Sequence, residues 1–495
     1  MYYSSTRNNS IKIESSQAIL TGISKEGGLF VPCEFPQISL DTLNKMAKLS
    51  YRARAEIVLG SFLTDFTDEK ISQMVSSAYG DNFDTENPAP LYKLDDSTFV
   101  QELWHGPTCA FKDMALQLLP HLLSASIEMH SPDKEIVILV ATSGDTGKAA
   151  LEGFKNVDKT RIIVFYPKDG VSNIQKLQMI STTGENVTVC AINGNFDDAQ
   201  TAVKNTFTDN NVIQKLAENN MDFSSANSIN WGRLVPQIVY YFSSYCDLLA
   251  NGTIAAGDKI NFTVPTGNFG DILAAYYAAK MGLPVNKLIC ASNSNNVLTD
   301  FINTGIYDMN RQFHTTISPS MDILVSSNLE RLIYDLSGND DKYISVIMDK
   351  LKTEGKYKIS DEILSQLQQC FNGYYCTEQD TKEAVKGVFE NYGYLIDTHT
   401  AVAYSAFKKY VTDNKDDSVN VIVSTASPYK FSYDVLSSLK DVEAESDFGI
   451  LDELNNVSKM PVPKPFDALR TAKVLHNDIC EPTDISNYVL KKLGL

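Results

Sequence analysis

Lys259-Ile260-Asn261-Phe262-Thr263-Val264-Pro265-Thr266-Gly267-Asn268-Phe269-Gly270-Asp271, running into Ile272-Leu273-Ala274-Ala275-Tyr276-Tyr277-Ala278-Ala279-Lys280, decides the fold. It reads as a buried strand, a glycine turn and a helix. Gly267 and Gly270 let the backbone turn sharply and approach a ligand, and the free N–H groups that open the helix make an anion site. A phosphate fits there. The dinucleotide fingerprint does not, because Gly267-Asn268-Phe269-Gly270 lacks the G-x-G-x-x-G spacing and no acidic partner follows at the usual distance. An ordinary strand-to-helix turn with glycines is the alternative from these residues alone.

Upstream, Val137-Ile138-Leu139-Val140-Ala141-Thr142-Ser143-Gly144-Asp145-Thr146-Gly147-Lys148 repeats the pattern. A nucleotide-binding P-loop is ruled out, since it needs glycine where Thr142 stands and Ser or Thr where Ala149 stands. What remains is a cluster of hydroxyls and N–H donors at Thr142, Ser143 and Thr146, suited to a small carboxylate. Apolar strands are expected at 136–141, 161–166, 187–192, 259–264, 288–292 and 419–424, with helices between them. This alternation predicts an α/β fold with parallel sheets flanked by helices and ligands at the carboxyl ends of strands. Residues 1–85 read as a helical or mixed cap, with helices at 40–48 and 51–63, closed by Asn87-Pro88-Ala89-Pro90. Residues 86–440 form the core, 338–382 a polar, helix-like insertion within it, and 441–495 a C-terminal extension interrupted by Pro461-Val462-Pro463-Lys464-Pro465.

Between cap and core lies His105-Gly106-Pro107-Thr108-Cys109-Ala110-Phe111-Lys112-Asp113. Gly106-Pro107 stops an extended segment at 97–103, and Met114, Leu116, Leu118, Leu119, Leu122 and Leu123 give the following helix one broad apolar face. Lys112 falls in the first turn, where the amide dipoles disfavour a second positive charge and leave more free amine to condense with an aldehyde. From this segment alone, an exposed first-turn lysine is the simpler reading; the two glycine loops shift the balance. Cys109 reads as a packing residue. His105 either lines a cleft beside the lysine or bonds within the turn.

The 495 residues suit two or three domains, and a net charge of -18 argues against a nucleic-acid partner, because nothing offers a broad basic face. No segment is expected to cross a membrane, and the N-terminus lacks the apolar run of a secretory leader, so a cytoplasmic location is expected. The 8 cysteines show no C-x-x-C spacing and read as reduced thiols. The 6 histidines show no ligand spacing, so no metal is expected.

Taken together, the lysine segment, the Gly267–Asp271 loop and the Thr142–Gly147 loop resemble the threonine synthase family of pyridoxal-phosphate enzymes. The resemblance extends to Gly27-Gly28-Leu29-Phe30-Val31-Pro32, Ser225-Ala226-Asn227-Ser228-Ile229-Asn230 and Thr425-Ala426-Ser427-Pro428-Tyr429-Lys430-Phe431, covering nearly the whole chain in order. Length and the N-terminal segment look like the longer branch, typical of many bacteria and fungi. The resemblance implies a tryptophan synthase β-like fold (fold type II) of two parallel-sheet subdomains beside the cap. It implies that Lys112 forms a Schiff base with pyridoxal 5'-phosphate, and that Gly267, Asn268, Phe269, Gly270 and Asp271 hold the cofactor phosphate. Thr425, just past an apolar strand, would meet the pyridine nitrogen with a hydroxyl; a carboxylate there would make the ring a stronger electron sink.

The implied substrate is O-phospho-L-homoserine. Its phosphate leaves from the γ carbon, water adds at the β carbon, and L-threonine results. Candidates for the substrate are Thr142, Ser143 and Thr146, with Ser172, Gln175, Asn227 and Arg233 for its phosphate. Arg233 suits bidentate contact. A monomer or homodimer is expected. A related lyase or dehydratase acting on a hydroxy or phospho amino acid is the rival reading, and a cofactor-free phosphate-binding regulatory protein a more distant one.

Overall fold

The computed structural model describes every residue except Ser143 and Gly170. Two parallel sheets carry the fold. The larger runs Phe371–Tyr375, Val285–Ser292, Ile260–Pro265, Asn420–Ser424, Thr98–Glu102 and Leu91–Lys93, all parallel but the last. The smaller runs Asp478–Cys480, Val187–Ile192, Thr160–Pro167, Glu135–Ala141 and Met221–Ser224, parallel throughout. Their inner strands are largely apolar runs because helices cover both faces; every residue of Ile260–Pro265 is buried.

In each sheet the connections move outward in one direction from a central strand and then resume on its other side. Ile260–Pro265 is that strand in the larger sheet and Glu135–Ala141 in the smaller. Such a reversal opens a crevice outside the carboxyl ends. Both glycine loops leave from these strands, so the sequence expectation of α/β layers with loops at strand ends is met.

Three features differ from expectation. The single helix foreseen after Lys112 is two, Lys112–Leu116 and Leu119–His130, with Pro120 in the first turn of the second. The cap is of the mixed kind expected, with an antiparallel sheet of Tyr3–Ser5, Asn8–Ile13 and Phe30–Pro32 ahead of the helices Leu40–Met46, Tyr51–Phe62 and Asp68–Ala78. The polar region at 338–382 contains Phe371–Tyr375, an edge strand too short and aromatic to stand out among helical neighbours. From the C-terminal region, Asp478–Cys480 adds the other edge beside Val187–Ile192.

The cap's Tyr3 packs on Trp231 at 5.2 Å between ring centroids. Trp231 opens the long buried helix Trp231–Ala250, which lies against Tyr51–Phe62, Gly270–Lys280 and Lys112–Leu116. Among the described residues, no helix is long and apolar enough to cross a membrane.

Candidate functional site

Lys112 is the first residue of its helix. A tight turn aims it: Asp113 folds back to accept the Thr108 amide and hydroxyl, both at 2.8 Å. A Cβ at Gly106 would lie 2.6 Å from Asp113, so only glycine lets the turn close. The main chain is pinned on the other side, where Phe111 donates its amide to the Thr425 carbonyl at 2.8 Å. Lys112 Nζ then lies 3.7 Å from Asp145 Oδ2 and 3.5 Å from Ser320 Oγ.

Burial is the main cause that lowers the Lys112 pKa; Asp145 opposes it, and the charges of Lys430 and Arg233 add to it. The dipole expected from sequence acts in the right direction, but a five-residue helix has little dipole to offer. Desolvation and neighbouring cations do what the dipole was expected to do.

The Gly267–Asp271 loop faces the same crevice. Phe269 takes up a left-handed conformation (φ 63°) that ends the strand-to-helix turn, its ring buried 5.8 Å from Phe371. A Cβ at Gly267 would meet the Ser320 carbonyl at 2.6 Å, so one residue, Ser320, touches both the lysine and this loop. The loop's own carbonyls are engaged: Asn268 accepts from Asn328 N and Nδ2, both at 3.0 Å. Its amides are not. Among the described residues, the N–H groups of Gly267, Asn268, Phe269, Gly270 and Asp271 donate to nothing, at the start of an eleven-residue helix.

Asp271 offers this loop its amide and not its side chain. Its carboxyl turns away from the loop into the core, where it accepts from the hydroxyls of Tyr240 and Tyr241, and burial raises its pKa to about 6. A carboxylate facing a phosphate would be repelled; only the Asp271 amide is available to an anion.

The Thr142 hydroxyl accepts the amides of Gly144 and Gly147, both at 3.0 Å, at the start of the helix Asp145–Phe154, and keeps its own proton to donate. Thr146 is half-buried, and its hydroxyl has no partner among the described residues. Ser143 lies outside the described residues. Gln175 reaches the site by donating to Asp145 Oδ1 at 2.8 Å, whereas Ser172 is an exposed cap of the helix Asn173–Ile180 and Asn227 is exposed.

Arg233 sits in the first turn of Trp231–Ala250, 5% exposed, and among the described residues its side chain gives one hydrogen bond, from Nη1 to the Ala226 carbonyl at 3.0 Å. Its Nε is buried without a partner, and no carboxylate pairs with it among the described residues. Burial lowers its pKa to about 10, which still leaves a cation at neutral pH. A buried cation with an orphaned donor is expensive unless an anion joins it.

Sequence reading passes over four residues. Asp145 and Lys430 stand inside two of the family motifs and carry the signal of charge in an otherwise neutral loop. Lys430 Nζ is 3.2 Å from Asp145 Oδ1. Ser320 and His399 give no local signal; His399 Nε2 accepts the Ser320 amide at 3.1 Å, which puts the ring proton on Nδ1, donated to Asp397 at 3.0 Å. Two ambiguities are resolved. Burial alone would lower the His105 pKa, but hydrogen bonds to Asp84 and Glu102 outweigh it and raise it to about 9, so this histidine belongs to the turn. Cys109 is buried, and burial drives its thiol pKa far up, away from nucleophilic reactivity. No metal-ligating cluster is found among the described residues.

A row of unbonded amides fits a phosphate monoester, and a buried amine across the same crevice fits an aldehyde. Pyridoxal 5'-phosphate carries both groups, and this fold with this site defines a pyridoxal-phosphate-dependent enzyme. The family model of such enzymes matches residues 83–426, and one described as the threonine synthase N terminus matches 2–79. The threonine synthase of Pseudomonas aeruginosa is 38% identical over 433 residues, 87% of this chain and 89% of that protein. The crystal structure of pyridoxal-phosphate-bound threonine synthase from Brucella melitensis is 35% identical, with a TM-score of 0.89 over 99% of this chain and 98% of that one. Threonine synthase-like 1 of Homo sapiens is 42% identical over 86% of this chain, which spans only 58% of that longer protein. The chain belongs to the threonine synthase family.

Proposed function

We propose that this protein is a threonine synthase, converting O-phospho-L-homoserine and water to L-threonine and phosphate. One observation carries the reading: Arg233, a buried guanidinium without a carboxylate partner, lies close enough to Lys112 for its charge to depress the amine's pKa. Lys430, the other buried cation beside Lys112, is paired with Asp145; an enzyme acting on an unphosphorylated amino acid has no use for a further buried guanidinium that lacks such a partner.

When bound, pyridoxal phosphate supplies an electron sink for the carbanions that elimination and addition require. Lys112 holds it covalently and, once released, carries protons at the α and β carbons through Nζ. The amides of Gly267, Asn268, Phe269, Gly270 and Asp271 hold its phosphate, and the Thr425 hydroxyl meets its ring nitrogen. The Thr146 hydroxyl and the amides of Asp145 and Thr146 receive the substrate carboxylate. Arg233 receives the γ-phosphate, with Gln175 at the site's edge. Ser172 and Asn227 contribute only through a shift of their segments. We place the reaction in the cytoplasm, where 8 unpaired thiols stay reduced, in a monomer or homodimer.

Incubation with O-phospho-L-homoserine should release threonine and inorganic phosphate in equal amounts. Keto acid from serine or threonine, with no threonine from the phosphorylated substrate, would replace this reading with a dehydratase.

A further inference from the structure

The Asp145 carboxylate stands between two lysines. Lys430 Nζ lies 3.2 Å from Oδ1 and Lys112 Nζ 3.7 Å from Oδ2. Gln175 Nε2 donates to Oδ1 at 2.8 Å, and Ser320 Oγ to Oδ2 at 3.4 Å. Lys430 comes from the short helical turn Pro428–Phe431, is 1% exposed at its side chain, and is fixed by donation to the Thr108 carbonyl at 2.8 Å. Thr108 belongs to the turn that aims Lys112, so Lys430 ties that turn to the helix carrying Asp145.

We propose that Lys430 is a positioning residue that sets the proton affinity of Lys112 by engaging the charge and one oxygen of Asp145. The inference rests on Lys112 being the cofactor lysine. Asp145 with no other cation would give its whole field to Lys112 and hold a proton on the amine, and a protonated amine is neither nucleophile nor base. With Lys430 on Oδ1, its charge offsets part of the field of Asp145 at Lys112. The other groups facing it are Arg233 from Trp231–Ala250, Asp113 on its own helix, and His399, which reaches it only through Ser320. Arg233 pushes the same way as Lys430, but once an anion occupies it that help is lost. Lys430 is then the cation that keeps the amine free.

Burial explains why the arrangement acts strongly here: Asp145 and Lys112 are only 10% and 12% exposed at their side chains, so water screens little of the field between them. The Asp145 pKa is held far below the usual carboxylate range: burial would raise it, and the charges of Lys430 and Lys112 prevail.

The test uses the cofactor-loaded protein and two readouts, the pH dependence of kcat/KM and the pH titration of its visible absorbance. Lys430→Gln keeps a donor for the Thr108 carbonyl and removes the charge; Lys430→Met removes both. Each should move both acid-side midpoints up by about one pH unit or more, a tenfold loss at the acid end that alkali restores. Lys430→Arg should keep the midpoints whatever its turnover. Adding Asp145→Asn to Lys430→Gln should bring them back to or below the parent's. A pH-independent loss, or unmoved midpoints in folded Lys430→Gln protein, would overturn the inference and leave Lys430 a packing residue. Retention of the visible band in Lys112→Ala would instead overturn the reading beneath it.

Discussion

The Thr425 carbonyl accepts the Phe111 amide at 2.8 Å, joining the end of a central strand to the residue before Lys112. Neighbouring Ala426 and Ala110 form an isolated antiparallel bridge, so two segments more than 300 residues apart act as one floor. The Thr425 side chain, 6% exposed, has no hydrogen-bond partner among the described residues. Its main chain is structural, which leaves the hydroxyl for chemistry. Thr425→Val should preserve the bridge and the melting temperature while reducing turnover by roughly 1 to 3 kcal/mol, the cost of one unpaired buried polar group. Unchanged kinetics and an unchanged visible spectrum would remove Thr425 from the site.

Lys112→Ala should abolish both turnover and the visible absorbance of the purified protein. Borohydride reduction of the parent should label Lys112, read by peptide mass spectrometry. Label on Lys148 or Lys430, the other buried lysines near Asp145–Phe154, would move the role there.

Gly153 lets the helix carrying Asp145 cross the helix carrying Lys112, since a Cβ at Gly153 would lie 1.9 Å from the Leu116 carbonyl. Gly153→Ala must push the two helices apart, an overpacking expected to destabilise by roughly 1 to 3 kcal/mol and to lower turnover as Lys112 and Asp145 separate. At Gly387, inside Glu378–Tyr392, an added methyl would meet nothing within 4 Å, so Gly387→Ala should stabilise by about 0.5 to 1 kcal/mol. Equal melting temperatures for the two variants would refute the crossing argument.

His105 gives the fold an alkaline limb. Its folded pKa of about 9 exceeds the ordinary 6.5, so its contribution is fully present below pH 6.5 and is lost as pH rises through 9. With the ring largely buried between Asp84 and Glu102, the loss should be on the order of a few kcal/mol at most. His105→Gln should therefore lower stability at pH 6 and much less at pH 10 in urea titrations. A difference independent of pH would mean that the contribution is packing alone.

What could be read from the chain was whatever a short stretch declares. Apolar runs such as 187–192 and 260–265 are buried on both faces and announce themselves; Phe371–Tyr375 and Asp478–Cys480 are edge strands whose pairing partner, not their composition, makes them strands. The same divide runs through the site. Lys112, Arg233 and the amides after Gly267 follow from local turns and helix starts, and these the sequence exposed. The direction of a side chain does not: Asp271 and Asp145 each open a helix after a glycine loop, yet one turns to two tyrosine hydroxyls and the other to two lysines. Ser320 and His399 meet the site only through tertiary packing, 208 residues from Lys112 in the case of Ser320.

Arg233 should make the γ-phosphate a requirement of the substrate. Its Nε is buried without a partner, and the only hydrogen bond found for the guanidinium among the described residues goes to the Ala226 carbonyl, so most of its donors are left for an incoming anion. A phosphate satisfies them with charge-assisted, bidentate geometry; homoserine and serine leave them empty. Sites built to bond a polar group reject an analogue lacking it by factors on the order of ten thousand, and unphosphorylated substrates should fail by about that much. Arg233→Ala should reduce kcat/KM for O-phospho-L-homoserine by roughly 2 to 5 kcal/mol while leaving the visible absorbance of the bound cofactor in place. Arg233→Lys should recover only part of the loss, because an ammonium offers charge without the fork. If Arg233→Ala instead released the cofactor and barely changed phosphate discrimination, the guanidinium would belong to the cofactor's own phosphate, and the substrate cradle would have to be sought elsewhere in the crevice.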